Sequence, residues 1–399
     1  MQIGTIAFLN WQYPGGGGET VSRNLGRFFL GQGYRVVIYA LSRYDDILPD
    51  EDRRDFELRD VKRLPGKRIR IDPDALSRSL REEGVDLLVV QGVTIAPFEE
   101  LRRQTACRIV FCLHSVPLWE VYAARSKRAA DIPDPTWARK LEFLLLRRPL
   151  NRWTGKIRRR TLRLYAAMLP HLDRMVMLCP QYRDQMARLL RESGYPGGDA
   201  PAEKFLSIFN PLLPAAEPVR TPKAKVVLYA GRLNYEDKRV DRLLRIWRRI
   251  EAAEPDWKLR IVGRGREWDA LHRLAQRLGL ANVEFLGHRT DVAPFYREAS
   301  FVCLTSDFEG WGLSLVEGQQ YGAIPVSFDS SEAIRTITCD GEAGIPVPAF
   351  SERKYAERLL AAMRDEALQE RLRENGYRAA ENYVLEVVGR EWLRLIEAL

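Results

Sequence analysis

Residues 301–321 are FVCLTSDFEGWGLSLVEGQQY, a stretch that places Glu309 and Glu317 on the two sides of a short glycine-containing turn. The apolar run 301–305 predicts a buried strand, and residues 313–321, with apolar side chains near helical spacing, predict a helix. Glu309 is therefore expected in the loop between them and Glu317 inside the helix. In open α/β sheets such loops, at the carboxyl ends of strands, bind the ligand.

The spacing of the two glutamates favours ligand binding over hydrolysis. A helical rise for the last residues before Glu317 puts the two carboxyl groups on the order of 10 Å apart, whereas a retaining hydrolase needs its two carboxyls roughly 5 Å apart. Gly310 and Gly312 let the backbone approach a ligand, and the first N–H groups of the helix favour an anion. A nucleotide diphosphate sugar has hydroxyls at both ends and a diphosphate between them. Either glutamate taken alone would more often be an exposed surface charge, and it is the joint pattern that indicates a ligand site.

The rest of the chain alternates strand and helix in two series, separated by the proline-rich stretch 211–223. This pattern predicts an α/β protein with two Rossmann-like, doubly wound domains that face each other across a cleft. The predicted strands are residues 3–9, 35–40, 86–91, 108–113 and 174–178 in the first series, and 225–229, 258–262, 283–285, 301–305 and 324–328 in the second. The predicted domains are residues 1–212 and 225–380, with a linker at 213–224 and a C-terminal helical segment at 381–399.

Several other residues are expected at the same ends of the predicted strands. Arg232 and Lys238 follow the first strand of the second domain, where two cations could neutralise a diphosphate and stabilise it as a leaving group. His114 ends a strand of the first domain and is a candidate to contact a sugar. Glycine-rich turns occur at 15–18 and 263–265, but neither matches the GxGxxG fingerprint, so NAD binding is disfavoured.

The basic residues are concentrated in one segment. Residues 125–163 contain thirteen lysines and arginines against three acidic residues, in a chain whose whole net charge is +9. Trp153 and three later apolar residues (Ile157, Leu164 and Met168) share one helical stripe, flanked by Arg158, Arg159 and Arg160. A basic amphipathic helix of this kind suits an anionic membrane surface. The alternative is a solvated helix packed on its own domain; nucleic-acid binding is not expected, because no nucleic-acid module accompanies the charge.

Composition restricts the possible classes further. No run of eighteen apolar residues and no signal-peptide pattern occurs, so we expect a cytoplasmic protein, with peripheral contact to the inner face of the cell membrane as an option. Five cysteines without CxxC and four histidines without HExxH predict no tightly held metal. We expect metal-independent chemistry without a cofactor.

Taken together, these motifs resemble the retaining glycosyltransferases of glycosyltransferase family 4, which have the GT-B fold. The resemblance covers most of the chain and is most specific in the second domain. It is carried by the GGGGE run at 15–19, His114, the IFNP run at 208–211, GRL at 231–233 with Lys238, FLG at 285–287, the pair Glu309 and Glu317, and DGEAG at 340–344. Gly318 and Arg264 depart from residues common in the family, and Arg264 leaves the base contacts open.

The resemblance implies a role for each candidate residue. The first domain would bind the acceptor and the second the donor, with the C-terminal helix crossing back to the first. In the catalytic set, Arg232 and Lys238 would hold the diphosphate, Glu309 the sugar hydroxyls, and His114 would lie near the transferred sugar. The donor-binding set would be Glu317 on the ribose, with Gly312, Leu313, Gly17, Gly18, Gly263 and Gly287 lining the site.

The sequence therefore predicts a retaining hexosyltransferase. It would use a UDP- or GDP-sugar and a glycan or lipid-linked acceptor, in cell-surface polysaccharide or lipopolysaccharide biosynthesis. The resemblance implies front-face attack, with Glu309 positioning the sugar and not serving as a nucleophile. A sugar-nucleotide epimerase of the same fold and a non-catalytic sugar-nucleotide-binding protein remain alternatives.

Overall fold

The computed structural model describes residues 3–126, 141, 155–215 and 220–399. Within the first half of the chain the elements are β1 (Thr5–Asn10), α1 (Gly17–Gly31), β2 (Arg35–Ala40), α2 (Asp50–Asp55), β3 (Glu57–Asp60), α3 (Pro73–Glu82), β4 (Leu87–Gln91), α4 (Phe98–Gln104), β5 (Arg108–Cys112), α5 (Trp119–Ser126), α6 (Lys156–Met168), β6 (Arg174–Met177), α7 (Pro180–Glu192) and β7 (Phe205–Ser207).

The second half continues the alternation of strand and helix. Its elements are β8 (Ala224–Ala230), α8 (Val240–Glu251), β9 (Lys258–Val262), α9 (Trp268–Leu278), β10 (Val283–Gly287), α10 (Ala293–Glu298), β11 (Ala299–Leu304), α11 (Leu313–Gln320), β12 (Ile324–Phe328), α12 (Glu332–Thr338), β13 (Ile345–Val347), α13 (Glu352–Met363), α14 (Glu366–Glu381) and α15 (Leu385–Glu397).

Two parallel sheets organise the chain. One has seven strands in the order β3-β2-β1-β4-β5-β6-β7, and the other has six in the order β10-β9-β8-β11-β12-β13. The central strands, such as LLVVQ in β4, are buried along their whole length, as expected of strands covered by helices on both faces. Both sheets are doubly wound, so the prediction of two Rossmann-like α/β domains is confirmed.

The chain divides into two compact units. The first comprises residues 1–117, 158–213 and 384–399, and the second comprises 118–157 and 214–383. Helix α5 therefore groups with the second unit although it follows a strand of the first. The predicted domain limits, at residues 212 and 380, place helix α5 in the first domain instead.

Helix α15 completes the core of the first unit. Val388, Trp392 and Ile396 are buried in the same apolar cluster as Phe29 of α1, and the Trp392 and Phe29 rings meet edge to face at 6.4 Å between centroids. A Cβ atom on Gly389 would overlap the Phe28 ring. The glycine is what lets α15 lie close to α1.

Candidate active site

A buried ion pair links two loops at the carboxyl edge of the six-stranded sheet. Glu309, in the loop after β11, is 8% exposed, and its Oε2 accepts from Lys238 Nζ at 2.7 Å and from Ser306 Oγ at 3.1 Å. Ser331 Oγ donates to the Glu309 backbone carbonyl at 3.0 Å. Lys238 comes from the loop after β8, so the fold brings together two charges that are 71 residues apart in sequence. The pair is fixed in position because a buried charge without a partner is costly.

Arg232 lies in the same β8–α8 loop as Lys238 but is held less tightly. Its side chain is 67% exposed, and Nη2 lies 3.3 Å from Asp237 Oδ2. The loop itself is fixed at this point because the Tyr229 hydroxyl donates to the Arg232 carbonyl at 2.7 Å. An exposed ion pair contributes little stability. The guanidinium can therefore exchange this partner for another anion at low cost.

Helix α11 begins beside Glu309. Gly312 precedes it in the left-handed conformation, with φ of 72°, and Leu313 is its first residue. A Cβ atom at Gly312 would lie 3.3 Å from the Glu309 side chain, so a larger residue would press on the glutamate as well as strain the backbone. The amino end of α11 thus places backbone N–H groups and their partial positive charge next to the ion pair.

Glu317, further along α11, is held by a residue outside the predicted set. The Tyr296 hydroxyl, on α10, donates to Glu317 Oε2 at 2.7 Å. Burial raises the pKa of Glu317, and the hydrogen bond from Tyr296 opposes that rise. The Tyr296 ring is buried and lies parallel to that of Tyr321. Tyr296 therefore fixes one oxygen of the carboxylate predicted to bind the ribose.

Gly263 and Gly287 lie at the carboxyl ends of β9 and β10. The Gly263 N–H donates to the Gly287 carbonyl at 2.7 Å, and a Cβ atom on Gly263 would overlap the carbonyl oxygen of Gly231. Glycine at 263 is thus required for close approach of neighbouring loops, whether or not a ligand contacts it. This close approach explains why residue 263 is a glycine, and it does not assign Gly263 a role in ligand binding.

In the first unit, the structure brings the glycine-rich turn and His114 together. Gly17 and Gly18 are the first residues of α1, and a Cβ atom on Gly18 would lie 3.6 Å from His114 Cδ2. The His114 Nδ1 lies 3.0 Å from Asn210 Oδ1, and its Nε2 contacts the Gln91 side-chain amide. Asn210 and Gln91 were not predicted as site residues, although Gln91 ends strand β4.

The surroundings of His114 favour a neutral imidazole. Burial lowers the pKa of His114 to about 4, and the contact with Asn210 opposes that change. A neutral ring has one donor and one acceptor nitrogen, so Nδ1–H can donate to Asn210 Oδ1. Nε2 faces Gln91 Oε1, and flipping the Gln91 amide lets Nε2 accept from the Gln91 amide nitrogen, which is otherwise buried without a partner. Both ring nitrogens are therefore occupied by neighbouring amides.

Helix α6 carries the basic surface that the sequence singled out. Arg158, Arg159 and Arg160 are exposed. The predicted apolar stripe is wrong at Leu164, which is 40% exposed. The helix instead buries the adjacent face, which contains Tyr165 and not Leu164. The Tyr165 ring packs edge to face on Phe111 of β5. The buried face consists of Thr161, Leu162, Tyr165, Ala166 and Met168. Trp153 lies outside the described residues.

Two negative findings apply to the described part of the chain. No group of three or more His, Cys, Asp or Glu side chains there is arranged to hold a metal ion. No helix there is both long and apolar enough to cross a bilayer.

Two protein-family models match the chain. A model described as glycosyl transferase 4-like domain matches residues 16–194, and one described as glycosyl transferases group 1 matches residues 215–379. The two matches follow one another along the chain and between them include β8 to β13 and most of the seven-stranded sheet.

The chain spans between 24% and 56% of the length of the curated relatives it matches. An uncharacterized glycosyltransferase of Haemophilus influenzae is 29% identical over 198 residues, which are 48% of this chain and 56% of that protein. The phosphatidyl-myo-inositol mannosyltransferase of Mycobacterium leprae is 33% identical over 178 residues, 44% of this chain and 47% of that protein.

Solved structures match over nearly the whole chain at low identity. HepE of Anabaena, solved in complex with UDP-glucose, has a TM-score of 0.73 at 15% identity and covers 99% of this chain and 100% of its own. WaaG, a glycosyltransferase involved in lipopolysaccharide biosynthesis, has a TM-score of 0.67 at 18% identity, with 98% and 99% covered. These likenesses establish a shared fold.

Proposed function

The chain belongs to the GT-B glycosyltransferases, and we propose that it is a retaining hexosyltransferase of family 4. Its donor would be a UDP- or GDP-sugar and its acceptor a glycan or lipid-linked saccharide of a cell-surface polysaccharide or lipopolysaccharide. Relatives that make such polymers, including the amylovoran glycosyltransferase AmsD of Erwinia amylovora, support this class of product.

The contact between Lys238 and Glu309 is the observation that carries the proposal. In a nucleotide diphosphate sugar the anomeric carbon is bonded directly to the diphosphate. Groups that bind the phosphate and the sugar hydroxyls must therefore be neighbours. A cation and a carboxylate 2.7 Å apart, both largely buried, meet that requirement. Lys238 would bind the phosphate and Glu309 would accept from hydroxyls of the sugar.

Positive charge around the diphosphate would supply most of the catalysis. Lys238 contacts Glu309, the amino end of α11 begins beside it, and Arg232, in the same loop as Lys238, would turn from Asp237 towards the diphosphate. Fixed positive groups stabilise the charge that develops on a leaving phosphate. These three sources of charge are the reason we propose a reaction that needs neither a metal ion nor a cofactor.

The remaining predicted residues would position the two substrates. Glu317, held by Tyr296, would accept from the ribose hydroxyls, and Gly17 and Gly18 would leave room for the ligand. The acceptor would attack from the face that the diphosphate leaves, and the departing phosphate would take the acceptor proton. His114 would contact the sugar as a neutral ring and would not act as a base, because amides occupy both its nitrogens.

Incubation of the full chain with UDP- and GDP-hexoses tests the proposal. We expect release of nucleoside diphosphate, with a glycosylated product when acceptor is present. Glu309→Gln and Lys238→Gln should each reduce turnover about 10²–10³-fold, the usual effect of removing one fixed electrostatic group. Epimerised donor would favour the isomerase alternative. Binding without turnover would favour a non-catalytic protein.

The matched control is Lys225→Gln. Lys225 is an exposed lysine at the opposite end of β8, paired with Asp256 at 3.1 Å, so its loss should leave turnover unchanged. Circular dichroism and urea unfolding of all three variants separate loss of chemistry from loss of fold. Near-normal turnover in both Glu309→Gln and Lys238→Gln would refute the assignment of these two residues to the active site.

A further inference from the structure

A cavity of about 550 Å³ opens in the second unit, on the β12 and β13 side of Glu309. Five parts of the chain line it: helix α5, the loop and first turn at the start of α8, the loop after β11, the segment after β12 and the segment after β13. Its volume lies within the roughly 300–1,000 Å³ of small-molecule sites. None of the residues assigned to the donor lines it.

Aromatic rings form two of its walls. Tyr122 is 37% exposed and Phe350 is 46% exposed. Tyr122 is supported from behind by Phe308, with ring centroids 5.8 Å apart, and the Arg242 guanidinium lies 4.7 Å from the centre of the Phe350 ring. Large aromatic faces left open to solvent in a concave site are suited to a ligand with a flat apolar face.

A network of fixed polar groups lies between these rings. Asp307 Oδ1 is 2.7 Å from Arg242 Nη2, while its Oδ2 is 3.3 Å from Arg239 Nη1 and accepts from Ser126 Oγ at 3.1 Å. Asp307 neutralises part of the arginine charge, so the cavity presents donors and acceptors with little excess of either sign. Arg125, at the rim, has no ion-pair partner in the described portion of the chain.

Two of the lining residues have strained backbones. Arg239 and Phe350 both lie in the left-handed region, with φ of 51° and 62°, which costs on the order of 1–3 kcal/mol for a residue other than glycine. Such strain concentrates at binding sites. Here it directs one arginine and one aromatic ring into the same cavity.

The combination of features matches a sugar ring. A pyranose has an apolar face of C–H groups for an aromatic ring and a rim of hydroxyls that both donate and accept. A nucleotide phosphate would instead need uncompensated positive charge, whereas Arg239 and Arg242 both pair with Asp307, and Arg239 also pairs with Asp241. Arg125, at the rim, is then the one lining arginine without an ion-pair partner in the described part of the chain. A purely apolar ligand would leave the remaining hydrogen-bonding capacity of these polar groups unsatisfied.

We propose that this cavity binds a sugar residue of the acceptor glycan. Asp307 and Phe308 precede Glu309 in the same loop, and Ser330 precedes Ser331, which donates to the Glu309 carbonyl. A glycan held here would run directly beside the loop that positions the donor sugar. This inference rests on the proposed transferase function, and it gives helix α5 a role in acceptor choice.

Binding of fluorescently labelled full chain to an array of bacterial surface oligosaccharides tests this site. Tyr122→Ala and Phe350→Ala should each weaken binding of the recognised oligosaccharide at least tenfold. In the transfer assay they should raise KM for that oligosaccharide and leave KM for the donor unchanged. Tyr44→Ala removes an equally exposed ring in the first unit. It should change neither the binding of the oligosaccharide nor its KM.

The outcomes separate this site from the proposed activity. Stabilisation of the protein by UDP- or GDP-hexoses reports on the donor site alone, since neither aromatic ring belongs to it. Normal donor binding together with undiminished oligosaccharide binding in both variants would overturn the acceptor subsite only. The acceptor subsite would also be overturned if the wild-type chain bound no oligosaccharide on the array.

Discussion

Tyr296 sets the position of Glu317 through a single hydrogen bond of 2.7 Å. Tyr296→Phe keeps the buried ring and removes only the donor. We expect KM for the donor to rise about tenfold, since one lost hydrogen bond to a charged group is worth roughly 1.5–3 kcal/mol and part of it is replaced by water. The value of kcat should change little, because Glu317 is predicted to bind the ribose and not the reacting atoms.

Tyr355→Phe is the matched control for that measurement. Tyr355 is also a buried tyrosine of the second unit, but its hydroxyl donates to the Val326 backbone carbonyl at 2.6 Å. Its loss should lower the free energy of unfolding without changing KM. Equal effects of the two substitutions on KM would show that Tyr296 acts only through stability.

His114 makes stability depend on pH in a defined window. Its pKa is lowered by burial from 6.5 in the unfolded chain to about 4 in the folded one. Between these values the unfolded state binds more protons, so the free energy of unfolding falls as pH falls from about 6.5 to 4. At pH 4.5 the loss should be on the order of 2–3 kcal/mol.

Urea unfolding of the wild type and of His114→Gln at pH 7.5 and 4.5 isolates this contribution. Carboxylates titrate in the same window in both proteins, so only the difference between the two proteins is informative. The variant should lose less stability than the wild type on acidification. Equal losses would mean that His114 titrates normally in the folded state.

The residues found from sequence are those that a motif marks locally. Glu309 and Lys238 follow strands and belong to recognisable spacings, and their contact gives both positions a physical reason. Tyr296 and Gln91 could not be found in this way, and Asn210, although it lies in the IFNP run at 208–211, was given no role. Their importance arises only when α10 packs beside α11, or when the ends of β4 and β5 and the segment after β7 meet.

At the scale of elements, the basic surface of α6 remains a prediction of membrane contact. Replacing Arg158, Arg159 and Arg160 together by glutamine should weaken binding to vesicles containing anionic lipid, and the difference should shrink as salt is raised. Vesicle sedimentation at two salt concentrations measures it.

A triple variant with the same loss of charge provides the comparison. Arg248, Arg249 and Arg273 are exposed arginines on α8 and α9, and their replacement by glutamine should leave vesicle binding unchanged. If both triple variants bind equally, α6 is a solvated helix that serves only its own domain.

The docking of α15 on α1 depends on one small residue. Gly389→Ala places a methyl group against the Phe28 ring and should reduce the free energy of unfolding by about 1–3 kcal/mol, the usual cost of overpacking. Gly31→Ala, where an added Cβ meets no atom within 4 Å, is the control and should be neutral or mildly stabilising. Chemical unfolding of both variants measures the difference.

Sequence patterns located the central strands and the edge strand β10, but not the other edges of the two sheets. The strands β2, β9 and β12 have the predicted bounds, because buried parallel strands form continuous apolar runs. The edge strands β3 and β13 and the short β7 were not predicted. β3, with the sequence ELRD, is polar and partly exposed, and its pairing with β2 depends on a neighbour that the local sequence does not reveal.

At the scale of the whole molecule, the first unit is assembled from three separate stretches of chain. Deleting residues 384–399 removes α15 and exposes the apolar face of α1. Hydrogen exchange should then show lost protection in β1, β2 and α1, with β8 and β11 still protected. Uniform loss of protection in both units would contradict the independence of the second core.

The sequence predicted the number of domains, their class and the family because these depend on repeated local patterns and a few spaced motifs. It did not predict that residues 118–157 group with the second unit. That placement depends on contacts such as the one between Ser126 and Asp307, which are 181 residues apart.

The three-part first unit also has a consequence for biosynthesis. Domains generally fold as units while the chain emerges from the ribosome, with the N-terminal one first. Here residues of the second unit are translated before Val388, Trp392 and Ile396, which complete the first core. The apolar face of α1 that α15 covers must therefore stay uncovered until the second unit has been translated, and transiently exposed apolar surface of this kind is prone to aggregation.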